Sequence, residues 1–542
     1  MSLQFITGNS GNGKTKYLFN RIVKEAKANP RDNYLVIVPE QFTMQTQRQL
    51  VDLSENKAIM NIDVLSFKRL AYRVFDELGI TNLTVLEETG KNLVLRKLAA
   101  QEADKLGVIG RNLNRIGYIS EVKSLLSELV QYNISPEELG RYIASGRLSD
   151  TLSDKLKDVL VLYEAFEKFM QDKYITAEEI LNVLSNVAEE SAILRNSVIA
   201  FDEFTGFTPI QNQLIKKLFV ISKKIYVTLT IDCREDIFKS RGMQELFDMP
   251  KRTVKSLTEM AAFYGIEVEE PIILDKNYRL AENEELSFME QQLFRKRRCS
   301  FKKAPKHIHI DCLRDPKQEL TKIARRINEL VRNENLRYRD IAIVTGDVNI
   351  YAGYVREIFD KYNIPYFIDA TQEILFHPFI EFIRSIPDIA AQNFSADAVF
   401  RFLRCGFTEL SASEIDVLEN YVLACGVRGK SAWDKKWVRL PKHKAGYDLE
   451  LLNQSREYIM ELLKPVYQVF SDKKSTVKDY VLAIYKLIVL LDIPDKLAKK
   501  EQALLDAGDQ TASKEYGQIY KIVMQLFEKY VAVLGDECMD AE

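Results

Sequence analysis

Apolar and polar positions follow two alternating periods along the first part of the chain. A short apolar run at residues 3–7 leads into a glycine-rich turn, and residues 14–28 then carry apolar side chains at helical spacing. A second apolar run, residues 34–38, stops at Pro39 and precedes another helical pattern at residues 41–53. Strands that alternate with helices in this way predict a parallel sheet covered by helices.

Between residues 87 and 190 the pattern becomes helical only. Residues 121–129 and 156–163 repeat apolar side chains every three or four positions. Runs typical of strands return at residues 197–201, 224–229 and 272–274. The pattern predicts one discontinuous α/β domain, residues 1–86 and 191–290, interrupted by a helical insertion at residues 87–190.

A second α/β pattern begins after residue 290. Strand-like runs occur at residues 308–311, 340–345 and 366–368, with helical patterns between them. From residue 386 onward the pattern is helical again. We therefore predict that residues 291–385 open a second α/β domain and that residues 386–542 form a second helical insertion, which ends before the rest of that domain.

Composition and charge narrow the class of protein. A length of 542 residues exceeds what one hydrophobic core supports, and 46% hydrophobic with 28% charged residues is typical of a soluble globular protein. The net charge of −2 gives no overall basic excess for nucleic acid. We find no signal peptide before Gly8 and no apolar stretch long enough for a membrane span. Six scattered cysteines favour reduced thiols, so we expect a cytoplasmic protein.

The first glycine-rich turn satisfies the phosphate-binding pattern GxxxxGK[ST] in full. It consists of Gly8, Asn9, Ser10, Gly11, Asn12, Gly13, Lys14 and Thr15. Because it lies between a predicted strand and a predicted helix, we expect its N–H groups and the helix N-terminus to cradle phosphate. Lys14 is then expected to reach the β- and γ-phosphates and Thr15 to bind Mg²⁺. The predicted cofactors are ATP and Mg²⁺.

A pair of carboxylates, Asp202 and Glu203, follows the strand-like run at residues 198–201. Hydrolysis of a bound triphosphate requires acidic groups at the end of a neighbouring strand, so we expect Asp202 to hold Mg²⁺ and Glu203 to polarise the attacking water. An acidic pair after an apolar run is also common by chance. Its position where the sheet resumes favours the functional interpretation.

The order of these motifs resembles the UvrD-like superfamily 1 helicases. Residues 202–211 look like the DEFQDxxxxQ box of that family, and residues 276–279 look like its QNYR box. The resemblance implies that Arg279 touches the γ-phosphate. Residues 340–344 and 363–366 look like the opening of the second motor domain, which implies RecA-like folds for both α/β domains.

The chain departs from the helicase pattern at positions that couple ATP hydrolysis to movement. Thr205 and Gly206 stand where the family has glutamine and a second aspartate, and residues 230–235 replace its GDxxQS box. Only seven residues precede the phosphate-binding loop, so we expect no adenine-reading glutamine motif before it.

A retained nucleotide pocket with lost coupling residues is similar to the AddB (RexB) subunits of bacterial AddAB helicase–nucleases. Residues 5–15 and 36–42 also look like the opening of those subunits. The resemblance implies a heterodimer with an AddA-like helicase–nuclease subunit, contact with single- and double-stranded DNA, Chi recognition, and DNA end processing in double-strand break repair and homologous recombination. It implies a 5′-to-3′ single-strand exonuclease and a [4Fe–4S] cluster only beyond residue 542, because AddB chains are about twice as long.

Two basic segments, residues 295–306 and 428–444, stand out against the near-neutral total. The second interleaves cations with tryptophan, a combination that suits contact with the DNA backbone and stacking on bases. Its candidate DNA-binding residues are Lys435, Lys436, Trp437 and Arg439. The alternative is a solvated charged face above tryptophans that belong to the core.

Three functions remain open from the sequence. The first is an ATP-binding and DNA-binding subunit in which the nucleotide acts structurally or in regulation. The second is an active superfamily 1 DNA helicase, for which DNA-stimulated ATP turnover would be lost in Lys14→Ala. The third is a P-loop kinase or transporter-type ATPase unrelated to DNA, which would not bind single-stranded DNA.

Overall fold

A computed structural model describes residues 1–80, 85–108, 110, 117–146, 148–171, 174–295, 299–369, 371, 373–441 and 447–538. The chain divides into two compact units, Met1–His309 and Ile310–Glu542. Among the described residues, none of the helices combines the length and the apolarity that crossing a bilayer demands.

The first unit is built around a parallel sheet. The strands of its described residues are β1 (Ser2–Gly8), β2 (Tyr34–Ile37), β3 (Ile62–Leu65), β4 (Val85–Leu86), β5 (Ile175–Thr176), β6 (Val198–Phe201), β7 (Lys224–Thr230), β8 (Glu267–Val268) and β9 (Ile272–Leu274). Seven of these described strands form one sheet in the order β3-β2-β6-β7-β1-β8, with β9 also paired to β1, and every pair is parallel. The carboxyl ends of β1 and β6 therefore lie at the same edge, where open α/β sheets bind ligands.

Helices cover both faces of this sheet. The helices of the unit are α1 (Lys14–Ala28), α2 (Thr43–Leu53), α3 (Phe67–Leu78), α4 (Glu88–Gln101), α5 (Tyr118–Gln131), α6 (Pro136–Ala144), α7 (Asp150–Met170), α8 (Ile180–Val187), α9 (Pro209–Ile221), α10 (Asp248–Phe263) and α11 (Glu284–Gln292). Successive residues of a strand point to opposite faces, so Phe5 lies in the core beneath α3, α8, α9 and α10, and Ile6 lies in the core beneath α1 and α2. The predicted mixed α/β fold with a parallel sheet is confirmed.

The two ends of the helical segment within this unit lie next to each other. The short strands β4 and β5 pair in parallel at its base, a pairing that the helical pattern of the sequence did not indicate. Above them, Lys91 of α4 is only 3% exposed, donates to the Ser127 hydroxyl of α5 at 3.2 Å, and pairs with Glu178 at 2.6 Å and Glu88 at 3.0 Å. Helix α8 instead packs in the core of the sheet through Ile180 and Leu184.

The described part of the second unit contains helices joined by non-helical segments and has no strand ladder. Its helices are α12 (Pro316–Asn333), α13 (Val348–Lys361), α14 (Pro378–Ala391), α15 (Ala396–Arg404), α16 (Ala412–Cys425), α17 (Lys430–Asp434), α18 (Leu449–Ser471), α19 (Val477–Leu490), α20 (Ile493–Asp506) and α21 (Gln510–Leu534). Helices α12 and α13 share a small core around Leu320 and Phe359. Helices α14 to α21 enclose a larger core around Phe382, Trp433 and Ile459.

The three strands predicted after residue 290 are wrong. All of their residues are described, and none belongs to a ladder. Ile310, Val344 and Phe367 in these extended segments are 93%, 92% and 88% exposed. A strand is stable only where a neighbour satisfies its N–H and C=O groups, so an apolar run without such a partner does not form one.

The compact first unit extends to His309. Glu285 of α11 accepts hydrogen bonds from the backbone N–H groups of Lys306 at 2.7 Å and His307 at 2.8 Å. These bonds hold the chain up to His309 against the first unit.

Candidate nucleotide-binding site

Glycine shapes the loop that joins β1 to α1. Gly11 and Gly13 have φ angles of +88° and +81°, a region that side chains with a Cβ rarely adopt. Gly13 is the N-cap of α1, so the loop leads directly into the first turn of the helix. The backbone N–H groups of that turn are therefore available to an anion at the edge of the sheet.

Lys14 is held inside this loop. Its Nζ donates hydrogen bonds to the carbonyl oxygens of Gly8 at 3.1 Å and Asn9 at 3.0 Å. Burial lowers the pKa of Lys14 below its ordinary value, although the negative charges of Glu203 and Asp202 act in the opposite direction. A poorly solvated ammonium group that is fixed at the loop is well placed to bind phosphate oxygens.

Asp202 and Glu203 follow β6 and lie opposite the start of α1. The Thr15 hydroxyl is 3.3 Å from Asp202 Oδ1 and 3.3 Å from Glu203 Oε1, and the Thr228 hydroxyl of β7 donates to the same Asp202 oxygen. Asp202 is 1% exposed. Burial raises the pKa of Asp202 above its ordinary value, and the hydrogen bond from Thr228 offsets this only in part.

The oxygen atoms of this corner fit a magnesium ion. Asp202 Oδ2 is buried and has no hydrogen-bond partner among the described residues, and the Thr15 hydroxyl lies beside the same carboxylate. Mg²⁺ binds to one or two carboxylates together with phosphate oxygens rather than to a cage of side chains. No group of three or more His, Cys, Asp or Glu able to hold a metal occurs in the described parts of the chain.

The turn that carries the two carboxylates is strained and braced by aromatic rings. Glu203 has a φ of +63°, an unusual value for a residue with a side chain. Phe201, Phe204 and Phe207 pack on one another and on Phe67 of α3, with ring centroids 5.3 to 6.3 Å apart. This cluster fixes the turn so that the Glu203 carboxylate points back toward Thr15.

The segment that follows β9 lies against the same loop. The Asn277 side chain donates to the carbonyl oxygen of Ser10 at 2.9 Å, and the backbone N–H of Tyr278 donates to that of Gly11 at 3.0 Å. Arg279 lines the cleft that contains Lys14, Asp202 and Glu203. The structure thus brings together the predicted phosphate-binding loop, the predicted acidic pair and the predicted arginine.

The cleft has a volume of about 740 Å³ and a second wall that sequence reasoning missed. Phe42, Gln45 and Gln49 line it from the 3₁₀ turn before α2 and from α2 itself. The four-residue spacing of the two glutamines places them on one face of the helix and is the only signal for this wall in the sequence.

Asn9 and Asn12 anchor the loop through their side chains. Asn9 donates to Glu290 Oε1 of α11 at 2.9 Å and accepts a hydrogen bond from the Cys233 N–H at 2.9 Å. Asn12 donates to the carbonyl oxygen of Leu274 at 2.6 Å. Both residues are buried, and neither lines the cleft.

Asp232, in the segment that replaces the GDxxQS box, forms ion pairs with two arginines. Arg234 and Arg295 bind its carboxylate at 2.6 and 3.0 Å, and it is 1% exposed. Burial acts against its ionisation, but the hydrogen bonds from Arg234 and the charge of Arg295 outweigh burial and lower the pKa of Asp232 to about 2.

Arg295, which opens the first basic segment, is largely buried. Its side chain is 12% exposed, is paired with Asp232 and lies 4.7 Å from the centroid of the Phe247 ring. Residues 296–298 of the same segment lie outside the described residues.

The second basic segment is exposed only in part. Trp437 is 7% exposed, stacks on Tyr421 with ring centroids 5.1 Å apart, and donates from Nε1 to the carbonyl oxygen of Ala432 at 3.0 Å. Its prediction as a base-stacking residue is wrong, because the ring belongs to the core. Lys435, Lys436 and Arg439 are exposed, and residues 442–446 lie outside the described residues.

The first strand of this parallel sheet enters α1 through a GxxxxGKT loop, and an acidic pair follows β6, which is separated from β1 by β7. These features define a P-loop nucleotide-binding domain of the helicase type. The protein family described as "ADDB, N-terminal" matches residues 5–290, more than half of the chain. The chain belongs to this family, and the resemblance seen in its sequence is confirmed.

Relatives resemble the chain over its whole length. It is 38% identical to a protein of Lachnoclostridium phytofermentans, and 32% identical to one of Clostridium acetobutylicum and to one of Clostridioides difficile. Each of the three is named as the B subunit of an ATP-dependent helicase/deoxyribonuclease, and the alignments cover 99 to 100% of this chain but 48% of each relative. The chain spans about half the length of the curated relatives that it matches.

Proposed function

We propose that this chain is the nucleotide-binding, N-terminal half of an AddB-type subunit of an ATP-dependent helicase/deoxyribonuclease. The observation that carries the proposal is the convergence of Lys14, Thr15, Asp202 and Glu203 on one cleft of a chain that belongs to the AddB family. ATP would bind with its phosphates on the loop N–H groups and Lys14, and Thr15 and Asp202 would hold Mg²⁺ beside them.

The nucleotide is proposed to act structurally or in regulation rather than to drive movement. Thr205 and Gly206 occupy coupling positions of the helicase pattern, and Asp232 is held between two arginines instead of facing the cleft. An active superfamily 1 helicase is the alternative, and the position of Glu203 beside Thr15 favours it, because a carboxylate there suits activation of water.

The partners are proposed from the family and from the names of the relatives. Those names describe one subunit of a larger enzyme, which supports a heterodimer with an AddA-like helicase–nuclease subunit. The heterodimer would act in the cytoplasm on DNA ends during double-strand break repair and homologous recombination. Chi recognition belongs to the same proposal. The 5′-to-3′ exonuclease and a [4Fe–4S] cluster are proposed for the part of the relatives that this chain does not span.

Contact with DNA is proposed for Lys435, Lys436 and Arg439. All three are exposed within a few residues of one another, and cations in such a cluster bind phosphates with little dependence on base sequence. Val438 and Leu440 beside them are 79% and 52% exposed and can contact sugars or bases.

Binding of a fluorescent ATP analogue, with and without Mg²⁺, tests the proposed function. Lys14→Ala is expected to weaken binding by about 30-fold, because charge-assisted hydrogen bonds to phosphate are lost. Lys24→Ala is the matched control, since Lys24 is exposed on the same helix and does not line the cleft. Equal binding by both variants, or no binding by the unaltered chain, would overturn the proposal.

ATP turnover in the presence of single-stranded DNA separates the proposal from its alternative. A protein that only binds ATP is expected to give no turnover above that of Glu203→Gln. Turnover that rises with DNA and disappears in Glu203→Gln would identify an active motor instead.

A further inference from the structure

Asn277 uses its whole side-chain amide to join two segments of the first unit. Its Nδ2 donates to the carbonyl oxygen of Ser10 at 2.9 Å, at the tip of the phosphate-binding loop. Its Oδ1 accepts the backbone N–H groups of Arg279 at 3.1 Å and Leu280 at 2.9 Å. A single side chain thus fixes the backbone that carries Arg279 and ties that backbone to the loop.

The two segments are in direct contact around this amide. A Cβ added at Gly11 would lie 2.7 Å from Asn277 Oδ1 and 2.9 Å from the Cβ of Arg279. The backbone N–H of Tyr278 donates to Gly11 at 3.0 Å in the same place. The distance between the loop and the start of the Arg279 side chain is therefore set by close packing and by hydrogen bonds.

We infer that Asn277 is a positioning residue that holds Arg279 at the γ-phosphate end of the cleft and makes the site prefer nucleoside triphosphates to diphosphates. The inference rests on the proposed nucleotide-binding function. Placing the exposed Arg279 side chain on a phosphate costs rotamer entropy, and a backbone that is already fixed avoids the further cost of ordering the segment that carries it. The loop N–H groups would contact the phosphates that both nucleotides share, so they would discriminate less between ATP and ADP.

A purely structural role for Asn277 makes a different prediction. If the amide served only to stabilise the turn after β9, its loss would weaken the binding of ATP and ADP to the same extent. The ratio of the two dissociation constants is therefore the measurement that separates positioning from stabilisation.

The experiment measures the affinities of the purified chain for ATP and ADP by calorimetry with Mg²⁺. Asn277→Ala is expected to weaken the binding of ATP by about tenfold and the binding of ADP by less than about twofold. Arg279→Ala is expected to have the same effects as Asn277→Ala on the binding of the two nucleotides. The double variant is expected to be no weaker than either single variant, because the two residues act as one unit. Asn283→Ala is the matched control, since Asn283 also accepts a backbone N–H, at the start of α11, without touching the loop.

Asn277→Asp is a second variant, which tests the inference even if Asn277→Ala does not fold. Aspartate keeps the acceptor for Arg279 and Leu280 but cannot donate to Ser10, so the same selective loss of ATP is expected. Equal losses for the two nucleotides, additive effects in the double variant, or an Asn277→Asp protein that binds ATP like the unaltered chain would each overturn the inference. Failure of the unaltered chain to bind either nucleotide would instead overturn the proposed function on which the inference rests.

Discussion

The hydroxyl of Thr15 lies 3.3 Å from Oδ1 of Asp202, although 187 positions separate the two residues in the chain. The contact exists because β1 and β6 run in parallel and end at one edge of the sheet. It brings the proposed phosphate-binding loop next to the Asp202 carboxylate, which is proposed to bind a cation. Substitutions can test each part of this corner separately.

Asp202→Asn tests the cation site. Asparagine keeps an acceptor for the Thr228 hydroxyl but removes the charge, so the Mg²⁺-dependent part of ATP affinity is expected to fall by about tenfold or more. Titration of a fluorescent ATP analogue at several Mg²⁺ concentrations measures this effect. Asp104→Asn, at an exposed site in the helical segment, is expected to change nothing.

The same substitution has an expected dependence on pH. The pKa of Asp202 in the folded chain lies above its ordinary value of 3.8, so the unfolded chain loses this proton first as the pH rises. Stability is therefore lost as the pH rises from 3.8 through the raised pKa. Urea unfolding across this window should show the stability of Asp202→Asn increasing relative to the unaltered chain, and a decrease would contradict the burial argument.

Arg295→Ala tests the ion pairs around Asp232. Removal of this largely buried partner leaves the Asp232 carboxylate with Arg234 alone, and the free energy of unfolding is expected to fall by about 3 kcal/mol. Arg234→Ala removes a half-exposed partner and should cost about 1 kcal/mol or less. Because the pKa of Asp232 is lowered to about 2, its stabilisation is present above pH 3.8 and is lost as the pH falls toward 2. Chemical denaturation at neutral pH ranks the two variants, and equal costs would contradict the assignment.

Gly11→Ala tests the close contact between the loop and the segment after β9. Gly11 and Gly79 both have left-handed φ angles, +88° and +69°, so alanine strains the backbone at either position by about 1 kcal/mol. Only at Gly11 would the new Cβ meet other atoms, those of Asn277 and Arg279, which adds about 2 kcal/mol of crowding. Nucleotide binding is expected to fail in Gly11→Ala and to persist in Gly79→Ala, as measured beside urea unfolding. Similar behaviour of the two variants would show that crowding is unimportant.

Substitutions in the second basic segment are expected to separate stability from DNA binding. Trp437→Ala removes a core ring and should cost about 4 kcal/mol of unfolding free energy in the second unit. Glutamine at Lys435, Lys436 and Arg439 together should leave stability nearly unchanged and weaken binding to single-stranded DNA. The slope of log affinity against log salt should fall by about 2, because three phosphate contacts are lost.

The control for that charge change is glutamine at three exposed lysines elsewhere in the second unit. Suitable positions are Lys499, Lys500 and Lys514. Equal weakening of DNA binding by the two triple variants would mean that net charge, and not the segment at 435–439, is responsible.

The parts of the fold that were predictable from the sequence are local or follow from the sheet order. The phosphate-binding loop is a continuous motif, and the helix predicted at residues 14–28 has the observed bounds. Asp202 was placed beside it because a strand-like run ended there where the sheet resumed. Such features depend on short-range patterns and on the rule that parallel strands share an edge.

The remaining features depend on partners that no local pattern identifies. The strand predicted at residues 340–345 lacks a neighbouring strand, and Trp437 has the same flanking cations whether its ring is in the core or in solvent. Gln211, part of the helicase-like box, forms a capping box with Thr208 at the start of α9. The tie between Asn277 and Ser10 spans 267 positions, so it becomes visible only in three dimensions.

The order of strands in the sheet has a consequence for how the protein is made. β1 leaves the ribosome first, yet its neighbours β7 and β9 are synthesised only after more than about 200 further residues. At typical elongation rates of about 5 to 20 residues per second, the apolar strand β1 therefore waits for roughly 10 to 40 s without a partner. Any lengthening of α4 to α7 would extend that wait, so the size of the insertion and the risk of aggregation during translation are linked.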